Sequence, residues 1–150
     1  MIQRIQTVYL FLAAAAALGQ FALPYLVAAT TGPLAMAVPA LSDGRLNPLD
    51  NTGLLALTAL TALVSAIAIF LFRNRPLQGR LAGSAIIASL LLLLLAGLTT
   101  KQTLDSVPTG ESVQYQAGLA LPLLAMLFQW LAMRNIGKDE KLVRSMDRLR

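Results

Sequence analysis

An all-α membrane fold, a four-transmembrane-helix antiparallel bundle with a short cytoplasmic C-terminal amphipathic helix, is what this sequence predicts. Three observations carry the prediction. No charged residue occurs from Ile5 to Ser42, Asn51 to Phe72, Leu81 to Thr100 or Ser112 to Met133, and a helix rising about 1.5 Å per residue crosses a roughly 30 Å hydrocarbon core in about 20 residues. Hydrophobic residues make up 57% of the chain and charged ones 13%, with a mean hydropathy of +0.68; a soluble domain is about 25% charged. The third observation is the one-sided placement of the basic residues, taken up below.

The 150 residues leave room for one integral membrane domain. Its spans are expected at about 5–27, 53–72, 81–100 and 115–133, with outer loops at about 28–52 and 101–114 and a tail over 134–150. The first span runs through VYLFLAAAAALGQFAL to Pro24 and the turn-forming TTGP at Thr30 to Pro33; a proline removes a backbone donor and kinks or ends a helix. Arg4, the apolar run and Ala17-Leu18-Gly19 also fit a cleaved signal peptide. Against cleavage, the apolar run resumes after Gln20 as FALPYLVAA, so a retained first helix is expected. The second and third spans are joined by a short basic connector with Arg73, Arg75, Pro76 and Arg80, the pattern of an antiparallel hairpin. The fourth span includes Pro122 and ends at Gln129-Trp130, before Arg134.

Ten of the twelve basic residues then fall on one side: Arg4, Arg73, Arg75, Arg80, Arg134, Lys138, Lys141, Arg144, Arg148 and Arg150, leaving Arg45 and Lys101 on the other. The positive-inside rule places that side, with both termini, in the cytoplasm. Phe70, Phe72, Tyr115, Phe128 and Trp130 lie near span ends, where aromatic rings anchor at headgroup level.

Function classes are narrowed chiefly by what is missing. The chain has no cysteine and no histidine, which excludes disulfides, thiolate metal sites, imidazole ligation and nucleophile pairs built on either side chain. No catalytic motif remains, so a non-enzyme without cofactor or metal is expected. The spans hold no ionisable side chain of the kind a proton-coupled carrier keeps inside the membrane. Asp43, Asp50, Asp105 and Glu111 sit on the outer loops without the alternating spacing of a calcium loop; they are expected to be solvated, and only their convergence would support an enzyme. The first outer loop, rich in turn residues yet apolar over Leu34 to Leu41, is expected to fold back on the bundle as a short strand, interfacial segment or lid.

Within the membrane, helices associate through small residues and a few interhelical hydrogen bonds. Thr58, Ala62 and Ala66 form one such face, Thr61 and Ser65 an adjacent row, Ala85 and Ser89 a third, and Ala13, Ala17 and Gln20 a fourth. These are ordinary packing seams, with hydroxyls bonded back to their own helix, or Gln20, Thr58, Thr61 and Ser65 line a small pocket for a lipophilic ligand. The same faces also serve a homo-oligomer.

The tail, RNIGKDEKLVRSMDRLR, is amphipathic. Leu142, Val143, Met146 and Leu149 share one helical face, and Lys141, Arg144 and Arg148 form a basic row. Lys138, Lys141, Leu142, Arg144, Met146, Arg148 and Leu149 are the expected contact for anionic lipid headgroups, or for a membrane or cytosolic protein partner. Asp139, Glu140 and Asp147 interrupt the basic residues, which disfavours nucleic acid.

The opening MIQRIQTVYLFLAA and the closing KDEKLVRSMDRLR resemble the uncharacterised four-helix integral membrane protein family of Bacteroidetes, a domain of unknown function. The resemblance implies a bacterial inner membrane and a retained first helix starting at Ile2-Gln3-Arg4-Ile5-Gln6, and carries no catalytic or binding residue. Because both ends fall on one side, Gln3, Arg4 and Gln6 are candidates to meet Asp139, Glu140 or Arg144 in a cytoplasmic clasp. The expected role is a structural or assembly component of the inner membrane acting through the tail; the alternative is a small transporter or lipophile-binding protein with its site between the helices.

Overall fold

The computed structural model describes residues 3–29 and 38–147. Helix α1 (Gln3–Gly19) leads to strand β1 (Leu26–Ala28), a 3-10 turn (Pro39–Leu41), β2 (Arg45–Leu46) and a second 3-10 turn (Pro48–Asp50). Helices α2 (Thr52–Phe70) and α3 (Arg75–Asp105) follow, then β3 (Val113–Tyr115), a 3-10 turn (Ala117–Ala120) and α4 (Leu121–Asp147). Helix α1 packs on α2 and α4, and α3 packs on the same two.

Three stretches are long and apolar enough to cross a membrane: Thr52–Phe70, Arg75–Asp105 and Ala117–Val143. The apolar part of α1, Ile5–Gly19, is shorter. The first helix thus stops well before the end of the expected span at 27. Its 17 residues reach about 25 Å. Gly19 is followed by tight turns and then Pro24, which cannot extend a helix. Backbone that leaves a helix beside lipid must find partners elsewhere, and both loops supply them. The Tyr25 amide donates to the Leu46 carbonyl at 2.8 Å, and the Gln116 amide donates to the Tyr25 carbonyl at 3.0 Å.

The resulting three-stranded antiparallel sheet has the order β2-β1-β3. Leu26 is registered with Leu46 on one side and Tyr115 on the other. The otherwise helical fold therefore carries a small β cap, one of the forms expected of the first loop. Tyr25, Leu26, Val38, Leu41 and Leu46 pack beneath it on Leu54 of α2 and Leu92 and Ala96 of α3. The cap depends on a close approach of two backbones: a Cβ on Gly118 would lie 2.2 Å from the Leu23 carbonyl oxygen.

Two further boundaries differ from expectation. Helix α3 begins at Arg75, where the Asn74 side chain accepts from the Leu77 amide and Pro76 occupies the first turn, and it continues past Thr100 to Asp105. Arg75, Arg80 and Lys101 are therefore helical, and the hairpin connector is shorter than its sequence suggested. The tail is not a separate short helix: α4 continues through it to Asp147, because nothing beyond Arg134 breaks it. An added Cβ on Gly137 would meet nothing within 4 Å.

The interior is built from small side chains. Ala13, Ala17, Ala62, Ala68, Ala82, Ala85, Ala96, Ala125 and Ala132 are buried, while Phe11, Leu63, Ile87, Leu94 and Leu123 are more than half exposed. A water-soluble protein does the reverse. Small residues let helix backbones approach, and an apolar exterior is stable only in lipid, so the fold is that of a membrane protein.

Candidate functional site

Polar side chains are distributed along the bundle interior in three groups. Near the ends of α1 and α4, the Gln6 amide donates to the Asp139 carboxylate across two helices, and both residues are buried. This contact is one of those expected of a clasp. Nearby, Gln78 of α3 donates to the Ala68 carbonyl of α2 at 2.9 Å, closing the end that carries Arg73 and Arg75.

Midway, Ser89 of α3 donates to Gln129 Oε1 at 2.8 Å, and Gln129 Nε2 donates to Ser65 Oγ of α2 at 3.1 Å. All three residues are fully buried. One amide from α4 thereby joins α2 and α3, its acceptor and a donor both used. Ser65, a candidate for either a packing seam or a pocket, is taken up by this link. Gln129, expected at a span end, is its centre.

Toward the cap, Gln20, Thr58 and Thr61 are fully buried with Tyr25. Tyr25 donates its hydroxyl to Gln20 Oε1 at 2.7 Å. Thr58 lies beside the Tyr25 hydroxyl but outside hydrogen-bond geometry. Gln20 Nε2, Thr58 Oγ1, Thr61 Oγ1 and Thr100 Oγ1 have no hydrogen-bond partner among the described residues. Back-bonding to the helix therefore accounts for Thr99, which reaches the Leu95 carbonyl at 3.0 Å, but not for Thr58 and Thr61. Each unpaired buried hydroxyl or amide is unfavourable by about 1–3 kcal/mol, a cost that a bound water would offset.

Two of the outer carboxylates, Asp43 and Asp50, serve local structure. Asp43 accepts from the Arg45 amide at 3.0 Å, and Asp50 from the Asn47 amide at 2.6 Å, where it completes a capping box. Partial burial, together with the charge of Asp43, pushes the Asp50 carboxyl above the ordinary carboxylate range, against the lowering effect of the Asn47 hydrogen bond. Among the described residues no three acidic side chains are grouped as a metal site.

On the tail, Lys138, Lys141, Leu142 and Val143 lie at the surface of α4, Leu142 being 51% exposed. Arg144 and Met146 are described as backbone alone, and Arg148 and Leu149 lie outside the described residues. Arg134 places its guanidinium 5.6 Å from the centre of the Trp130 ring. Beside that ring, Ile86 of α3 and Leu123, Met126 and Leu127 of α4 line a groove of about 440 Å³.

A family model described as a domain of unknown function, DUF4293, matches residues 2–149. The chain belongs to this family. No curated protein and no solved structure matches it. DUF4293 membership thus agrees with the resemblance of the two chain ends, and every polar group in this DUF4293 chain has to be judged by its own geometry.

Sequence reasoning missed Gln129, Tyr25 and the Trp130-Arg134 stack. The first carried a signal, since Gln129 and Gln20 are amides within long uncharged stretches and an amide in lipid needs a partner. Tyr25 carried none, because its place follows from the sheet.

Proposed function

We propose that this DUF4293 protein is a four-span antiparallel bundle of the bacterial inner membrane with both termini cytoplasmic. It acts as a non-enzymatic structural or assembly component, and its working surface is the basic end of α4. The observation that carries this reading is the unbroken run of α4 from the apolar stretch to Asp147, with Leu142 and Val143 exposed beside Lys138 and Lys141. A helix that holds apolar side chains out beside cations suits an anionic membrane surface or the apolar groove of a partner.

The antiparallel arrangement is supported by contacts at both ends of neighbouring helices. Gln6 meets Asp139, whereas a Cβ on Gly19 would meet Leu121. Likewise Gly79 faces Ile136 and Ser89 meets Gln129. The short α1 completes a span with the apolar turn that follows it. Extraction of the full chain from its membrane into nanodiscs, followed by mass spectrometry, tests the role. A stoichiometric protein or anionic lipid that is lost in a Lys141→Glu, Leu142→Glu variant supports it; identical recovery from both chains refutes it.

The unpaired polar atoms of Gln20, Thr58 and Thr61 favour a second reading, a carrier or binder of a lipophilic molecule with polar groups. A small molecule that co-purifies with the chain and is lost on Thr58→Val with Thr61→Val supports it. Its retention by that variant excludes the site.

A further inference from the structure

We infer that the groove between α3 and α4 holds an acyl chain of one anionic phospholipid, whose phosphate is bound by Arg134 and Lys138. Leu123, Leu127, Trp130, Arg134, Lys138 and Lys141 follow one another along α4 at steps of three or four residues, so they share one helical face. That face changes from apolar to cationic between Trp130 and Arg134. The groove lies on its apolar half, lined by Ile86, Leu123, Met126, Leu127 and Trp130, and its 440 Å³ falls within the roughly 300–1,000 Å³ of small-ligand sites. Leu123 and Trp130 are each about half exposed, so the groove opens to the bilayer.

The charge at the end of the groove decides the occupant. The Trp130 ring holds the Arg134 guanidinium in place, and among the described residues no carboxylate pairs with it. Lys138, one turn further, is exposed. A stacked guanidinium keeps its planar donors available, a geometry that suits phosphate oxygens. The occupant must therefore be apolar over several turns and anionic at one end, which describes a phospholipid. A second copy of the chain fits poorly, because an isologous contact about an axis normal to the membrane would set this cationic row against itself.

This site deepens the lipid arm of the proposed function and rests on that reading for the bilayer, not for the tail. The test is native mass spectrometry of the full chain with phosphatidylglycerol or phosphatidylcholine of identical acyl chains. One phosphatidylglycerol is expected to be retained, about tenfold more than phosphatidylcholine, the ratio of one charge-assisted contact. Arg134→Gln removes that preference, and Ile86→Phe, which narrows the groove, lowers retention of both lipids. Circular dichroism confirms that each variant keeps its helix content; where Ile86→Phe does not, Leu123→Phe replaces it. Leu142→Gln with Val143→Gln leaves the retained lipid in place even if it abolishes tail contacts. Equal retention of the two lipids, retention that Arg134→Gln and the groove variant leave unchanged, loss only in the tail variant, or a lipid-free dimer each overturns the inference.

Discussion

Gln129 shows how much one amide does where water is absent. It accepts from Ser89 and donates to Ser65, tying α4 to its neighbour α3 and, across the interior, to α2. Leucine in its place leaves two hydroxyls that can turn back to carbonyls of their own helices, so the loss is bounded. Interhelical hydrogen bonds in membranes average about 0.6 kcal/mol and reach about 1.7. Gln129→Leu is expected to lower stability by about 1–2 kcal/mol, measured by reversible unfolding in mixed micelles, and a double Ser65→Ala, Ser89→Ala variant, which leaves the buried Gln129 amide without these partners, should lose more. Gly118 presents the opposite situation, in which nothing can move aside. An added Cβ meets the Leu23 and Pro24 carbonyl oxygens at 2.2 and 2.3 Å, and these belong to the short turn that leads directly into β1. Gly118→Ala is expected to reach the upper part of the usual 1–3 kcal/mol for overpacking, about 3 kcal/mol, with the loss seen as faster amide exchange in β1 and β3.

The elements differ in how far local pattern decides them. The uncharged runs placed α2, α3 and α4 because length and hydropathy are local properties. The end of α1 was not legible in this way: Phe21 to Ala28 is as apolar as a span, and only pairing with residues about 20 and 90 positions away makes it a turn and a strand. The tail was legible as amphipathic but not as part of α4, since the change from Trp130 to Arg134 marks a change of solvent and not of backbone. Two predictions belong at this level. Gln6 is the described partner that holds Asp139 at the α1-α4 end, and its loss leaves a buried carboxylate acceptor, worth about 1.5–3 kcal/mol when charged. Gln6→Ala is expected to destabilise the bundle by about that amount and to raise protease cleavage after Lys138 and Lys141. The second concerns the turn before α2. Because the folded state raises the Asp50 carboxyl above its ordinary range, folding favours the protonated form. Stability contributed there is greatest below the ordinary carboxylate range and declines as pH rises through the raised value. Asp50→Asn keeps an acceptor for the Asn47 amide and removes the ionisation, so the protection of the Asn47 amide and of the amide at position 50, relative to intrinsic exchange, should no longer fall as pH rises through that range.

On the scale of the whole molecule, the division between a small-residue interior and a large apolar exterior explains which parts of the site could be foreseen. Gln20, Thr58, Thr61 and Ser65 lay on predicted small-residue faces, and all four are buried. The physics of packing in lipid selected them. The partition among them, with Ser65 bonded across helices and Gln20 and Thr58 beside Tyr25, depends on the relative height of four helices and on a cap made from two loops. Neither is encoded in any single stretch. The same architecture gathers charge by position: Gly79 faces Ile136 and Gln6 meets Asp139, which collects Arg73, Arg75, Arg80, Arg134 and Lys138 around one end. Arg45 adjoins β1 in the sheet, and Lys101 lies in the part of α3 nearest it. The positive-inside rule predicts an orientation with the crowded end in the cytoplasm, and a chain without cysteine allows it to be measured one position at a time. Lys101→Cys and Lys138→Cys both replace exposed residues at opposite ends. In intact spheroplasts a membrane-impermeant maleimide is expected to label the first and spare the second until the membrane is opened. Labelling of the second alone would invert the molecule and place the Arg134 face and the tail in the outer leaflet; labelling of both would mean that the two positions are on the same side, incompatible with a span between them.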